Sequence, residues 1–163
     1  MKRTIFLMLA VLLSTLSASA YDFKVDGIAY SFNNSYAPVA TYFYVARGSD
    51  KKNAISIPSR VTYNGYTLPV TRISSDAFEA YTNLTSVSIP STITGIGSDA
   101  FYGCTGLTSV TFNAANCSSP SNVGYAWFKD CPLTTLVIGN GVKSIPDYLA
   151  YNQTKLKKVT IPN

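Results

Sequence analysis

Two hydrophobic rhythms divide the chain. Between residues 21 and 70, apolar and aromatic positions alternate with polar ones on either side of short turn pairs, a period of two that predicts half-buried strands. In FKVDGIAYSF the pair Asp26–Gly27 tolerates positive φ and closes a two-residue hairpin. Its register sets Val25 opposite Ile28 and Phe23 opposite Tyr30, with all four side chains on one face. In VTYNGYTL, Asn64–Gly65 makes the equivalent turn, pairing Tyr63 with Tyr66 and Val61 with Leu68. Between the hairpins, Thr41 to Ala46 (TYFYVA) has the β-branched and aromatic content of a further strand.

Beyond residue 70 the pattern repeats over a longer distance. ISSDAFEAYTNLTSVSIP (Ile73 to Pro90) realigns with IGSDAFYGCTGLTSVTFN (Ile96 to Asn113), so that Phe78 and Phe101, Leu84 and Leu107, and Val87 and Val110 are each 23 residues apart. A third unit places Phe128, Leu133, Leu136 and Ile138 about 26 residues further on, and Leu156, Val159 and Ile161 restore the spacing of 23. In each unit, L-x-x-V-x-I reads as a short strand. The preceding S-D-A-F reads as a helix start, with Asp76 and Asp99 as N-caps and Glu79 completing a capping box. One unit is too small to bury its own apolar face, so neighbours must stack, as in a solenoid. The expected fold class is therefore an α/β repeat: stacked parallel strands preceded by an antiparallel β-hairpin cap.

The stretch Ile89 to Val110, IPSTITGIGSDAFYGCTGLTSV, resembles the BspA-like leucine-rich repeats of bacterial surface and secreted proteins. The likeness extends over roughly 55–163, with Ile57–Pro58 as the start of an earlier unit, a hairpin insertion near 61–70 and an irregular insertion near 114–123. The section at 21–54 is similar to the N-terminal region such proteins carry. The resemblance implies an exported adhesion or host-interaction role, with matrix proteins among the ligands. The chain departs from the pattern in its short array and in that irregular insertion.

If L-x-x-V-x-I points inward, the residues between face outward. These are Ser86 and Ser88, Ser109 and Thr111, Thr135 and Val137, and Lys158 and Thr160, two columns of mostly small hydroxyls and the candidate ligand-binding residues. They form either a polar sheet for a peptide or glycan, or a solvated face chosen for β propensity. Seven of the twelve tyrosines fall between Tyr21 and Tyr66. They too have two readings, a binding surface or the rim of a β-cap, and cross-strand aromatic pairing favours the cap. Lys155, Lys157 and Lys158 gather near the end, either to meet an acidic partner or polysaccharide or, more readily, as a solvated edge that discourages strand pairing, and the exposed last coil could self-associate.

Composition narrows the chemistry. The chain has 163 residues and no histidine, which removes Ser-His-Asp triads and imidazole ligands together. No phosphate-binding loop, dinucleotide fingerprint or nucleophile elbow occurs. Residues 1–20, MKRTIFLMLAVLLSTLSASA, have the basic start, apolar run and small-residue site of a removable export signal. That leaves no membrane-spanning segment in the remaining chain. Without Lys2 and Arg3, 11 basic residues face 8 acidic ones, too weak and scattered a charge for nucleic acid. Cys104 and Cys131 follow Phe101 and Phe128 by three residues, so they should stack in adjacent coils as buried thiols, and Cys117 is left over as the candidate reactive thiol. The three are too far apart for metal-ligand spacing. The expectation is an exported, non-enzymatic binding module with no cofactor or metal, located at the cell surface, outside the cell or in the periplasm.

Overall fold

The computed structural model describes residues 21–33 and 41–162. The expected export signal at 1–20 lies outside the described residues, as do Tyr36 and Asn163. Among the described residues there are eleven strands: β1 (Phe23–Val25), β2 (Ile28–Phe32), β3 (Phe43–Val45), β4 (Ala54–Ser56), β5 (Arg60–Tyr63), β6 (Tyr66–Ile73), β7 (Ser86–Ile89), β8 (Gly95–Ile96), β9 (Ser109–Phe112), β10 (Thr135–Ile138) and β11 (Lys158–Thr160).

Both hairpin registers follow from their turns. Phe23 pairs with Tyr30 and Val25 with Ile28, while Val61 pairs with Leu68 and Tyr63 with Tyr66. Asp26 and Gly27 both adopt positive φ, as do Asn64 and Gly65, which is the backbone that two-residue loops demand. The hairpins are continuous with the repeats. One sheet runs β1-β2-β3-β6-β5, and β8, within the repeats, pairs in parallel with the end of β6. The second sheet is parallel throughout, ordered β11-β10-β9-β7-β4, with one strand from each successive unit. Its register is unbroken from Ser86 through Ser109 and Thr135 to Lys158. β4 pairs with β7, so strand stacking reaches upstream to Ala54.

The expected helices are absent, and the α/β assignment is corrected to a β-solenoid. Among the described residues the one helical element is a 3-10 turn at Val123–Tyr125. Asp76 and Asp99 have φ of 56° and 55°, whereas an N-cap residue sits in the extended region. The S-D-A-F amides also find partners elsewhere. Asp76, Phe78 and Ala80 donate to the carbonyls of Ser98, Ala100 and Tyr102 at 3.1, 2.8 and 2.8 Å, and Phe101 and Gly103 donate to Trp127 and Lys129. These donors serve the neighbouring coil, so no i to i−4 ladder forms. Glu79, expected to close a capping box, instead pairs with Arg47 at 3.1 Å.

Side chains stack as the backbone does. Phe78, Phe101 and Phe128 form a column with ring centroids 5.1 Å apart at each step. Leu84, Leu107 and Leu133 are fully buried beside it. Thr85, Thr108 and Thr134 form a third column, each hydroxyl donating to the carbonyl of the corresponding residue one coil back, Asn53, Thr85 and Thr108. Under β1–β3 and the β5–β6 hairpin, Phe23 lies between Tyr63, at 3.9 Å, and Phe43, at 5.0 Å.

Two stability predictions follow from this packing. A Cβ at Gly106 would lie 2.2 Å from the Thr82 carbonyl oxygen, whereas one at Gly141 would meet nothing within 4 Å. Gly106→Ala should therefore cost about 2–3 kcal/mol in urea unfolding, and Gly141→Ala should stay within about 0.5 kcal/mol of the parent. Equal midpoints would show that coils do not approach this closely. Tyr30 is fully buried, and its hydroxyl has no hydrogen-bond partner among the described residues. Burial first, then the Asp26 carboxylate, raise its pKa well above the ordinary tyrosine value. The folded state keeps a proton that the unfolded chain releases near pH 10. Stability from this group is thus present below pH 10 and lost progressively above it. Tyr30→Phe should leave stability at pH 7 unchanged or higher by about 1 kcal/mol and move alkaline unfolding to higher pH. A destabilised variant with an unmoved alkaline midpoint would refute this.

Candidate functional site

The candidate residues come together as two aligned columns. Ser86, Ser109, Thr135 and Lys158 are successive register partners, as are Ser88, Thr111, Val137 and Thr160. β4 extends the columns with Ala54 and Ser56. Along β7, β9 and β10 burial alternates strictly: Val87, Ile89, Val110, Phe112, Leu136 and Ile138 turn into the core, and the column residues face away, half-buried by their neighbours. Lys158 and Thr160 are exposed. At the ~4.8 Å strand spacing, small side chains in register make a flat hydroxyl-bearing surface, interrupted by Val137 and edged by lysine. Among the described residues the polar atoms that fix these strands are backbone groups and the Thr85–Thr108–Thr134 column, so the outward hydroxyls are not consumed there in holding the sheet.

Sequence reasoning missed a second concavity. A cleft of about 450 Å³ opens on the other sheet, among Asn33, Tyr42, Tyr44, Arg72, Thr94, Gly95 and several serines. The tyrosines differ in their surroundings. Tyr30 is core and Tyr63 stacks on Phe23, whereas Tyr42 and Tyr44 line this cleft. Their clustering in the sequence was a signal, but nothing local tied them to Arg72.

A third feature is apolar. Leu136, Ile138, Ile145, Tyr148, Tyr151 and Val159 line a groove of about 480 Å³ beside β11. Val159 and Ile161 are 50% and 58% exposed, at positions whose counterparts one coil back, Leu136 and Ile138, are buried.

Two of the three cysteines bridge neighbouring coils. Cys104 and Cys131 are free and buried, and their thiols donate to the carbonyls of Phe78 and Phe101, one coil back, at 3.0 and 3.1 Å. The adjoining Cys104 sulfur, then burial, push the Cys131 thiol up. Cys117, expected as a reactive thiol, is half-buried and its pKa is pushed up to about 11 by burial, so at neutral pH it is a poor nucleophile. No group of three or more His, Cys, Asp or Glu among the described residues could hold a metal ion. No helix among them is long and apolar enough to cross a membrane.

These repeated coils match a known pattern. The BspA type Leucine rich repeat region is found in six copies over residues 71–163. The chain belongs to this family. The BspA-type chain is similar to a leucine-rich cell surface protein from Faecalibacterium prausnitzii, at 26% identity and TM-score 0.55 over 86% of this chain. It is equally similar to a leucine-rich repeat protein from Bacteroides ovatus, at 25% identity and TM-score 0.55 over 87% of this chain. It spans 42% of the length of each of those two proteins. A leucine-rich repeat protein from Bacteroides capillosus, 23% identical with TM-score 0.64, shares the fold over 86% of this chain and 98% of its own. No curated protein matches the chain.

Proposed function

We propose that this BspA-type chain is an exported, non-enzymatic binding module that recognises a protein or glycan through its parallel sheet, in adhesion or host and matrix recognition. The observation that carries the reading is the pair of columns, Ser86–Ser109–Thr135–Lys158 and Ser88–Thr111–Val137–Thr160, held in unbroken register on a solvent-facing surface. A backbone fixed by neighbouring coils presents these hydroxyls with little ordering cost on binding. Among solved structures, the similarity to a leucine-rich cell surface protein supports the exported location. The reading assigns no catalytic step, cofactor, metal or nucleic acid to the chain.

A second reading, assembly through the β11 edge, is favoured by one specific observation. β11 pairs on one side only among the described residues, and Val159 and Ile161 stand exposed beside the apolar groove.

Binding of the purified chain from Tyr21 onward to an array of matrix proteins and glycans separates the two. The first reading expects a saturable ligand whose affinity falls at least tenfold in Ser109→Glu/Thr111→Glu, since two carboxylates on adjacent column positions disrupt a neutral hydroxyl surface. Ligand binding indifferent to that variant refutes the strand face as the site. Concentration-dependent association without any ligand moves the assignment to the edge.

A further inference from the structure

The cleft on the mixed sheet of β3, β6 and β8 is built around one arginine, and a bulge puts it there. β3 and β6 run parallel, and Phe43 pairs with Val70, but the next partner of Tyr44 is Arg72, with Thr71 passed over. Without this irregularity Tyr44 would meet Thr71, and Arg72 would fall opposite the buried Val45. With it, Val45 meets Ile73 in the core, and Tyr44 and Arg72 stand side by side on the outer face. Bulges recur where a side chain must be re-aimed, and they are uncommon in parallel pairs.

The next residue in the row is glycine. Arg72 pairs with Gly95 of β8, and a Cβ built there would lie 3.8 Å from Arg72 Nη1 and 3.9 Å from Cζ. The guanidinium thus lies along the sheet beside a position without a side chain. Arg72 is the single charged side chain lining the cleft among the described residues, and no carboxylate among them pairs with it. The rim is held by Asn33, whose Oδ1 accepts from the amides of Thr41 at 2.9 Å and Tyr42 at 3.2 Å, while its Nδ2 donates to Thr41 Oγ1. Ser74, Ser75 and Ser118 bring hydroxyls to the opposite wall.

We infer that this cleft binds a carboxylated sugar, with Arg72 holding the carboxylate and Tyr42 and Tyr44 covering the ring. A planar guanidinium fork matches a carboxylate through two parallel N–H···O bonds. A single cation balances one negative charge, as a carboxylate carries, whereas a phosphate monoester carries up to two. Tyrosines give a flat apolar face with a polar tip at low ordering cost, and serine hydroxyls suit a ligand rich in hydroxyls. The site lies on the sheet opposite the hydroxyl columns and does not depend on them.

The test is isothermal titration of the chain from Tyr21 onward with a galacturonate trimer, a hyaluronan tetrasaccharide and sialyllactose. Each is matched with its carboxyl-methyl ester, and a tripeptide with a free C-terminus is titrated alongside. The inference expects saturable binding of at least one acidic sugar and at least tenfold weaker binding of its ester. It also expects at least tenfold loss in Arg72→Gln and Tyr44→Ala, with Tyr66→Ala, at the exposed hairpin turn, unchanged. Gly95→Val, which adds bulk under the guanidinium without changing any charge, should weaken binding about fivefold or more. Circular dichroism of each variant confirms folding. Binding by no acidic sugar at 5 mM, equal binding of acid and ester, or indifference to Arg72→Gln overturns the inference. Tighter binding of the peptide than of every sugar overturns the ligand class.

Discussion

The structure depends on backbone hydrogen bonds that run from one coil to the next on both sides of the solenoid. On the strand side they are ordinary parallel ladders through β4, β7, β9, β10 and β11. On the other side they come from segments that look helical in sequence, where alternate amides such as Phe78 and Ala80 donate to residues 22 positions later, Ala100 and Tyr102. Within a coil, bonds such as Ala77 to Ser74, Tyr81 to Phe78 and Leu84 to Tyr81 close only short turns, and the amides between them reach out of the coil. Those remaining donors and acceptors are satisfied only by neighbours, which is why no unit of this length folds alone and why buried backbone groups dictate stacking. The phenylalanine, leucine, threonine and cysteine columns are the side-chain consequence of the same translation.

That constraint shapes what the surfaces can do. Because every strand of the parallel sheet is aligned with the last, outward residues fall into columns without further provision, and the chemistry of a column is set by one choice per unit. The mixed sheet of β1, β2, β3, β6, β5 and β8 is different. It joins antiparallel hairpins to parallel strands, so its register is interrupted at β3 and β6, and the interruption places Tyr44 beside Arg72. Regularity produces a broad polar face, and the break in regularity produces a cleft.

The parts legible in the sequence are those specified within a few residues or by exact recurrence. Asp26–Gly27 and Asn64–Gly65 carry their turns locally, so strand partners such as Phe23 and Tyr30 could be paired without a structure. The recurrence of Leu84, Leu107 and Leu133 revealed the stack and hence the outward columns. The S-D-A-F segment misled because aspartate before a short apolar stretch also suits the left-handed backbone that turns use; both roles exploit its short polar side chain. What decided between them was where the amides of Asp76 and Phe78 found carbonyls, a partner 22 residues away. The cleft was illegible for a related reason. Tyr44, Arg72 and Gly95 are distant in sequence and meet only through parallel pairing and a skipped residue. Cys117 looked reactive because it was unpaired, but burial, which the local sequence does not show, raises its pKa.

Native-state hydrogen exchange resolved at single amides tests the coil-to-coil account most directly. If the turn segments are locked by their neighbours, the amides of Phe78, Ala80 and Phe101 open together with the strands, and their protection lies within about tenfold of that of Val110. If those amides exchange as fast as exposed turn residues while the strands stay protected, the segments are held only locally, and stacking through both sides of the solenoid is wrong.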